Sequence, residues 1–235
     1  MPDSVPNGPS YSWIPSYVAI ADKLLEYAND WGVPFELVQE ITGSPFDTHN
    51  CHGLMDPCTF FAMFNGLYRN DDKRREVVAQ ALKKFGLDAP VPCDFKGAPV
   101  FANPMCWWFY GSDGAVQACW DLTEAAVAYA DDPAQSNRMP FLRAFDRLCP
   151  MMNVKMSKAT GALHCFRPDF FLALDNRTRR YVNDVYRIHV PVKYLTGIEY
   201  LAIMDKVRSH TDKSLSEVSY DAQVAFPPTP RKRAK

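Results

Sequence analysis

Residues 56–86 read DPCTFFAMFNGLYRNDDKRREVVAQALKKFG and contain two successive helix signatures. In the first, Asp56 precedes Pro57, which is the pattern of an N-cap followed by a first-turn proline. The aromatic and aliphatic residues after it cover much of the helix circumference, which predicts a deeply buried helix. In the second, apolar residues recur at three- and four-residue spacing from Asp71, and Gly86 supplies a stop. This stretch therefore predicts a helical core.

The same periodicity continues on both sides of this stretch. It predicts further helices over 14–29, 34–43, 115–129, 139–148, 157–163, 176–186 and 196–207. The last three have candidate N-caps, which are Ser157, then Asp175 or Asn176, then Thr196. Residues 87–113 contain four prolines and predict turns instead. We therefore expect a mainly α protein: a single globular helical domain with a short irregular or two-stranded β insertion near 95–110. The expected organisation is a disordered N-terminus over 1–12, a domain over 13–211, and an extended basic tail or linker over 212–235.

The composition is that of a globular chain. Of its 235 residues, 47% are hydrophobic and 23% are charged, and no apolar run reaches the about 18 residues of a membrane span. The first residues include an acid and three prolines with no basic residue, unlike a signal peptide. These features predict a cytoplasmic protein without a membrane partner.

Cysteine and histidine patterns give little reason to expect a metal. The chain has seven cysteines, and Cys51, His52 and Cys58 lie close in sequence, as do His164 and Cys165. However, the sequence has no pair of C-x-x-C knuckles. We therefore expect reduced cysteines that act as small hydrophobic residues, with no metal and no cofactor.

The common enzyme signatures are absent. There is no P-loop, no G-x-G-x-x-G, no G-x-S-x-G and no H-E-x-x-H.

The charge is distributed unevenly along the chain. Residues 150–193 contain eight basic and three acidic residues, although the net charge of the whole chain is −1. A local basic excess is what contact with phosphates requires, although a solvated helix face has the same appearance.

Four blocks of sequence resemble the N-terminal region of McrB-like proteins, the motor subunits of modification-dependent restriction systems. They are DPCTFFAMFN at 56–65, GAPVFAN at 97–103, PDFFLALDNRTRRY at 168–181 and SYDA at 219–222. The resemblance extends over about residues 13–225. It implies a non-catalytic DNA-recognition module in phage defence, which binds possibly modified DNA. The resemblance also implies that an AAA+ GTPase or ATPase motor and an McrC-type nuclease are partners. This chain stops where the motor domain of such proteins begins, so it is expected to be an excised domain or a stand-alone relative.

The second half also resembles helix-hairpin-helix DNA glycosylases more weakly. In that family a hairpin lysine precedes an aspartate, as Lys158 precedes Asp175 here, and arginines follow. The resemblance implies an N-glycosylase in which Lys158 attacks the sugar and Asp175 stabilises the developing positive charge. The glycines of the hairpin are missing from PMMNVKMSKA. A third alternative is a protein-interaction domain that docks a motor or a nuclease.

Candidate contact residues follow from these alternatives. Arg177 and Arg180 share one side of a predicted helix near its N-terminus, where phosphates can bind. The aromatic run around Trp107 can stack on an unpaired base or pack in a half-buried loop. Asp175 can also be a simple helix cap or a partner of Arg179. The full set of DNA-binding candidates is Lys155, Lys158, Arg167, Asn176, Arg177, Arg179, Arg180, Trp107 and Trp108.

Overall fold

The computed structural model describes residues 10–29, 32–43, 54–66, 70–99, 114–151 and 154–227. Within these ranges the chain is mainly helical, which confirms the predicted fold class. Its elements are α1 (Trp13–Leu25), β1 (Val33–Pro34), α2 (Phe35–Thr42), β2 (Leu54–Met55), α3 (Pro57–Gly66), α4 (Asp71–Phe85), α5 (Ala115–Asp131), α6 (Gln135–Leu148), α7 (Lys155–Phe166), α8 (Asn176–Val185), α9 (Gly197–His210) and α10 (Leu215–Ala225). Strands β1 and β2 pair antiparallel.

A group of aromatic rings packs α5, α6 and α9 together. Tyr129 of α5 stacks on Phe141 of α6, with ring centroids 5.4 Å apart. Phe141 also stacks on Phe171 at 5.3 Å, and Tyr200 of α9 stacks on Phe145 of α6 at 5.2 Å. Burying one such side chain stabilises the fold by about 1.5–3 kcal/mol. These contacts therefore fix the C-terminal helices against the core.

Local signals of the sequence set several helix ends. The side chain of Asp56 accepts a hydrogen bond from the amide of Thr59 at the start of α3. Gly86 ends α4 with a φ of 66°, a left-handed conformation that glycine adopts without a Cβ clash. Thr196 begins α9 with the predicted capping box, in which the Thr196 side chain accepts from the Glu199 amide and the Glu199 side chain accepts from the Thr196 amide.

Two predicted boundaries are wrong. Ser157 is not the N-cap of its helix, because α7 begins at Lys155 and its N-cap residue, Val154, provides no side-chain hydrogen bond. The tail predicted from 212 contains α10, which starts with a capping box formed by Ser214 and Glu217. The buried side chains of α10 include Leu215, so residues 215–225 are part of the folded domain.

The insertion predicted near 95–110, either irregular or two-stranded, is irregular over 95–99, and the rest of it lies outside the described residues. The strand pair joins 33–34 to 54–55. One further expectation needs correction. Residues 10–12 were expected to be disordered, yet the Ser10 amide donates to Asp94 Oδ2 at 3.1 Å. No helix in the described ranges is both long enough and apolar enough to cross a membrane.

Candidate nucleic-acid interface

The start of α7 places two lysines one turn apart. Lys155 is exposed and has a φ of 57°, a left-handed conformation that residues with a Cβ seldom adopt. No side chain of the N-cap residue covers the first amides of α7. Lys158 is partly buried, and this burial, together with the positive charge of Lys155, lowers the pKa of Lys158 to about 8. An anion bound here would relieve the repulsion between the two ammonium groups.

The start of α8 is capped by Asp175, as the sequence predicts. Asp175 Oδ1 accepts hydrogen bonds from the amides of Arg177 and Thr178, each at 2.9 Å. Thr178 and Val182 are buried and fix the inner side of the helix. This orientation leaves Arg177 partly exposed and Arg180 exposed.

A buried hydrogen bond connects α7 to the N-terminus of α8. The amide of Leu174, the residue before Asp175, donates to Thr160 Oγ1 at 2.9 Å. Thr160 lies two residues after Lys158 in α7. The contact therefore fixes α7, which carries the two lysines, to the residue before the cap of the arginine-bearing helix. We call Lys155, Lys158, Arg177 and Arg180 the basic surface.

The side chain of Arg180 has neighbours that compete only weakly with a ligand. Its Nε is 3.3 Å from Asp184 Oδ2, and both side chains are more than half exposed. Its guanidinium also lies over the ring of Phe226, 4.1 Å from the centroid. Exposed contacts of both kinds contribute about 1 kcal/mol or less each, so a phosphate can replace the ion pair at low cost.

Arg167 is held in ion pairs inside the fold. Its side chain is only 11% exposed, and its guanidinium contacts Asp22 of α1 and Asp131 of α5, each at 2.7 Å. The Arg167 guanidinium also lowers the pKa of Asp131. Arg167 therefore joins α1, α5 and the end of α7, and this geometry favours a structural role over the predicted contact with DNA.

Arg179 is committed to local contacts on the other side of α8. It donates to the backbone oxygen of Val192 at 3.1 Å and to Asn176 Oδ1 at 3.1 Å. Asn176, also a predicted contact residue, is exposed at the first position of α8. Trp107 and Trp108 lie outside the described residues.

Sequence reasoning missed an exposed apolar segment beside α8. Val192, Tyr194 and Ile198 are 70%, 71% and 60% exposed, and Lys193 lies between the first two. The hydrogen bond from Arg179 to the Val192 backbone joins this segment to α8. Periodicity gave no signal for Val192 and Tyr194, because they lie in the loop before α9.

A second missed group is the buried Arg74 in α4. Its guanidinium donates to Tyr17 Oη and Asn65 Oδ1, and it lies over the ring of Phe95 at 4.0 Å from the centroid. The side chain of Asn65 is buried in this network. The network joins α1, α3 and α4.

The protein is a mainly α domain with a local excess of positive charge. Over residues 13–225 the chain matches a family described as a domain of unknown function, DUF8425. The chain belongs to this family. No curated protein and no solved structure matches the chain.

Proposed function

We propose that this protein is a DNA-recognition module of an McrB-like, modification-dependent restriction system and works in the cytoplasm in phage defence. In this proposal the basic surface binds DNA phosphates and the chain itself catalyses no reaction. NTP hydrolysis and strand cleavage belong to an AAA+ motor and an McrC-type nuclease with which it assembles. The four sequence blocks described above support the family assignment of this proposal.

The observation that carries the proposal is the buried hydrogen bond from the Leu174 amide to Thr160 Oγ1, which fixes α7 to the residue before the cap of α8. Lys155 and Lys158 lie on α7, and Arg177 and Arg180 lie on α8. Lys155 and Lys158 repel each other, and Arg177 and Arg180 lie on the next helix. This set of positive charges favours binding of a polyanion over binding of a single small ligand. Each phosphate contact would release a condensed counterion, so binding should weaken steeply with salt.

One observation favours the alternative of a DNA glycosylase. The pKa of Lys158 is lowered to about 8, so more of this amine is uncharged and nucleophilic near neutral pH than for an ordinary lysine. Against this alternative, Asp175 Oδ1 already accepts two backbone hydrogen bonds as a helix cap. These bonds give the Asp175 side chain a structural role as an N-cap. A catalytic role for Asp175 is therefore not needed.

The alternative of a pure protein-interaction domain is supported by the exposed apolar segment at Val192, Tyr194 and Ile198. Exposed apolar side chains that cluster in one segment are typical of surfaces that bind another protein.

Fluorescence anisotropy with labelled duplexes, with and without modified cytosines, tests the proposal. We expect the protein to bind both duplexes at low salt and to prefer a modified duplex. Binding without base release supports the recognition module, whereas base release supports the glycosylase. Failure to bind either duplex at low salt would refute both and leave the interaction domain.

A further inference from the structure

Three side chains with metal-binding chemistry meet in the core, away from the basic surface. Asp56 and Cys58 lie at the start of α3, and Cys119 lies in α5. One carboxylate oxygen and the two sulfur atoms lie within 4.8 Å of one another. The exposed fractions of the three residues are 0%, 1% and 0%.

The Asp56 carboxylate is held by neutral hydrogen-bond donors. Within the described ranges, no ion pair includes Asp56. Its oxygens accept hydrogen bonds from the Thr59 amide and the Thr59 hydroxyl. The Cys58 amide and the Cys119 thiol also donate to this carboxylate.

A bound divalent cation would replace the thiol protons and hold the Asp56 carboxylate and the two sulfur atoms together. Two thiolates and a carboxylate form a donor set suited to zinc, which binds sulfur at about 2.3 Å and carboxylate oxygen at about 2.0–2.2 Å in a tetrahedral arrangement. Such an arrangement separates the donor atoms by roughly 3.6–3.8 Å, and the three atoms here lie within 4.8 Å of one another. A carboxylate has about four lone-pair positions, so Asp56 can cap α3 and bind a metal at once.

We propose that Asp56, Cys58 and Cys119 bind a structural Zn²⁺ ion that joins α3 to α5. On binding, the thiols of Cys58 and Cys119 each release a proton to solvent, and the resulting thiolates and the Asp56 carboxylate donate electron pairs to the ion. These residues supply three of the four ligands of a tetrahedral zinc site. This site departs from the metal-free expectation of the sequence analysis and is independent of the proposed function.

Metal analysis of the purified protein tests the site directly. The full chain, expressed in zinc-supplemented medium and purified without chelators, should contain one zinc ion per chain by mass spectrometry. Cys58→Ser and Cys119→Ser should each reduce the bound zinc at least tenfold. Cys149→Ser is the matched control, because Cys149 is a buried thiol in another part of the core. Cys93→Ser controls for an exposed thiol that collects metal from the medium.

Cobalt spectroscopy of the unmodified protein covers the case in which a variant does not fold. Co²⁺ in place of zinc should give a thiolate-to-cobalt charge-transfer band of two-sulfur intensity, which added zinc abolishes. Its intensity should fall as the pH is lowered, because protons compete for the thiolates. The absence of both zinc and the cobalt band in the unmodified protein would refute the proposal. Zinc retained by folded Cys58→Ser and Cys119→Ser, or lost in Cys93→Ser, would also refute it.

Discussion

Replacement of Asp175 separates a helix cap from a catalytic carboxylate. In the folded protein Asp175 Oδ1 accepts two backbone hydrogen bonds of 2.9 Å at the start of α8. Removing an N-cap side chain costs about 1 kcal/mol, with a range of about 0.5–2, whereas asparagine caps about as well as aspartate. We therefore expect Asp175→Ala to lower the free energy of unfolding by about 1 kcal/mol and Asp175→Asn to change it little.

Urea denaturation measures these changes, and a strand-break assay tests catalysis. The wild-type protein and both variants are incubated with duplexes that contain uracil, alkylated purines or methylated cytosines, and abasic sites are then cleaved with hot alkali. We expect no strand breaks from any of the three proteins and retained DNA binding by Asp175→Asn. Breaks that occur with the wild type and disappear with Asp175→Asn would refute the reasoning. A silent Asp175→Ala in denaturation would refute the capping role.

Three further predictions address the core, an ion pair and the basic surface. Phe61→Ala should lower the free energy of unfolding by about 3–5 kcal/mol, since its ring is fully buried and packs on Tyr17 and Phe166; an unchanged denaturation midpoint would contradict this. Arg167→Ala should lower the free energy of unfolding by about 1–3 kcal/mol, because Asp22 and Asp131 lose their charged hydrogen-bonding partner. It should leave the salt dependence of DNA binding unchanged in anisotropy titrations. A flatter dependence would place Arg167 in the interface. DNA affinity should fall as the pH rises through about 8, because Lys158 then loses its proton and with it the positive charge that attracts phosphate. Lys158→Arg should abolish this fall in affinity. A fall that persists in this variant would assign the titration to another group.

The helical core was predictable because its signals are local. The spacing of apolar residues and the caps at Asp56, Asp175 and Thr196 depend only on neighbours within one or two turns. The same kind of signal, Ser214 with Glu217, marks α10, but the short and weakly apolar stretch after it concealed the helix. The predicted start of α7 was wrong because Val154, its N-cap residue, gives no capping signal.

The arrangement of the candidate sites was predictable only in part. The sequence identified the basic residues of α7 and α8, but only the fold shows that Arg167 is held by Asp22 and Asp131 from two other helices. The meeting of Cys58 with Cys119 is likewise a long-range contact. Side chains from distant parts of a chain meet only when the helices pack together. Residue spacing and composition do not predict which helices will pack against each other.

The salt dependence of DNA binding tests the central claim most directly. Each phosphate contact contributes about 0.9 to the slope of log affinity against log salt, so Arg177→Ala/Arg180→Ala should reduce the slope by about 1.8. The control, Lys83→Ala/Arg143→Ala, also removes two positive charges, here from exposed positions of α4 and α6, and should keep the wild-type slope. Equal slopes for the wild type and Arg177→Ala/Arg180→Ala would contradict a DNA interface on the basic surface.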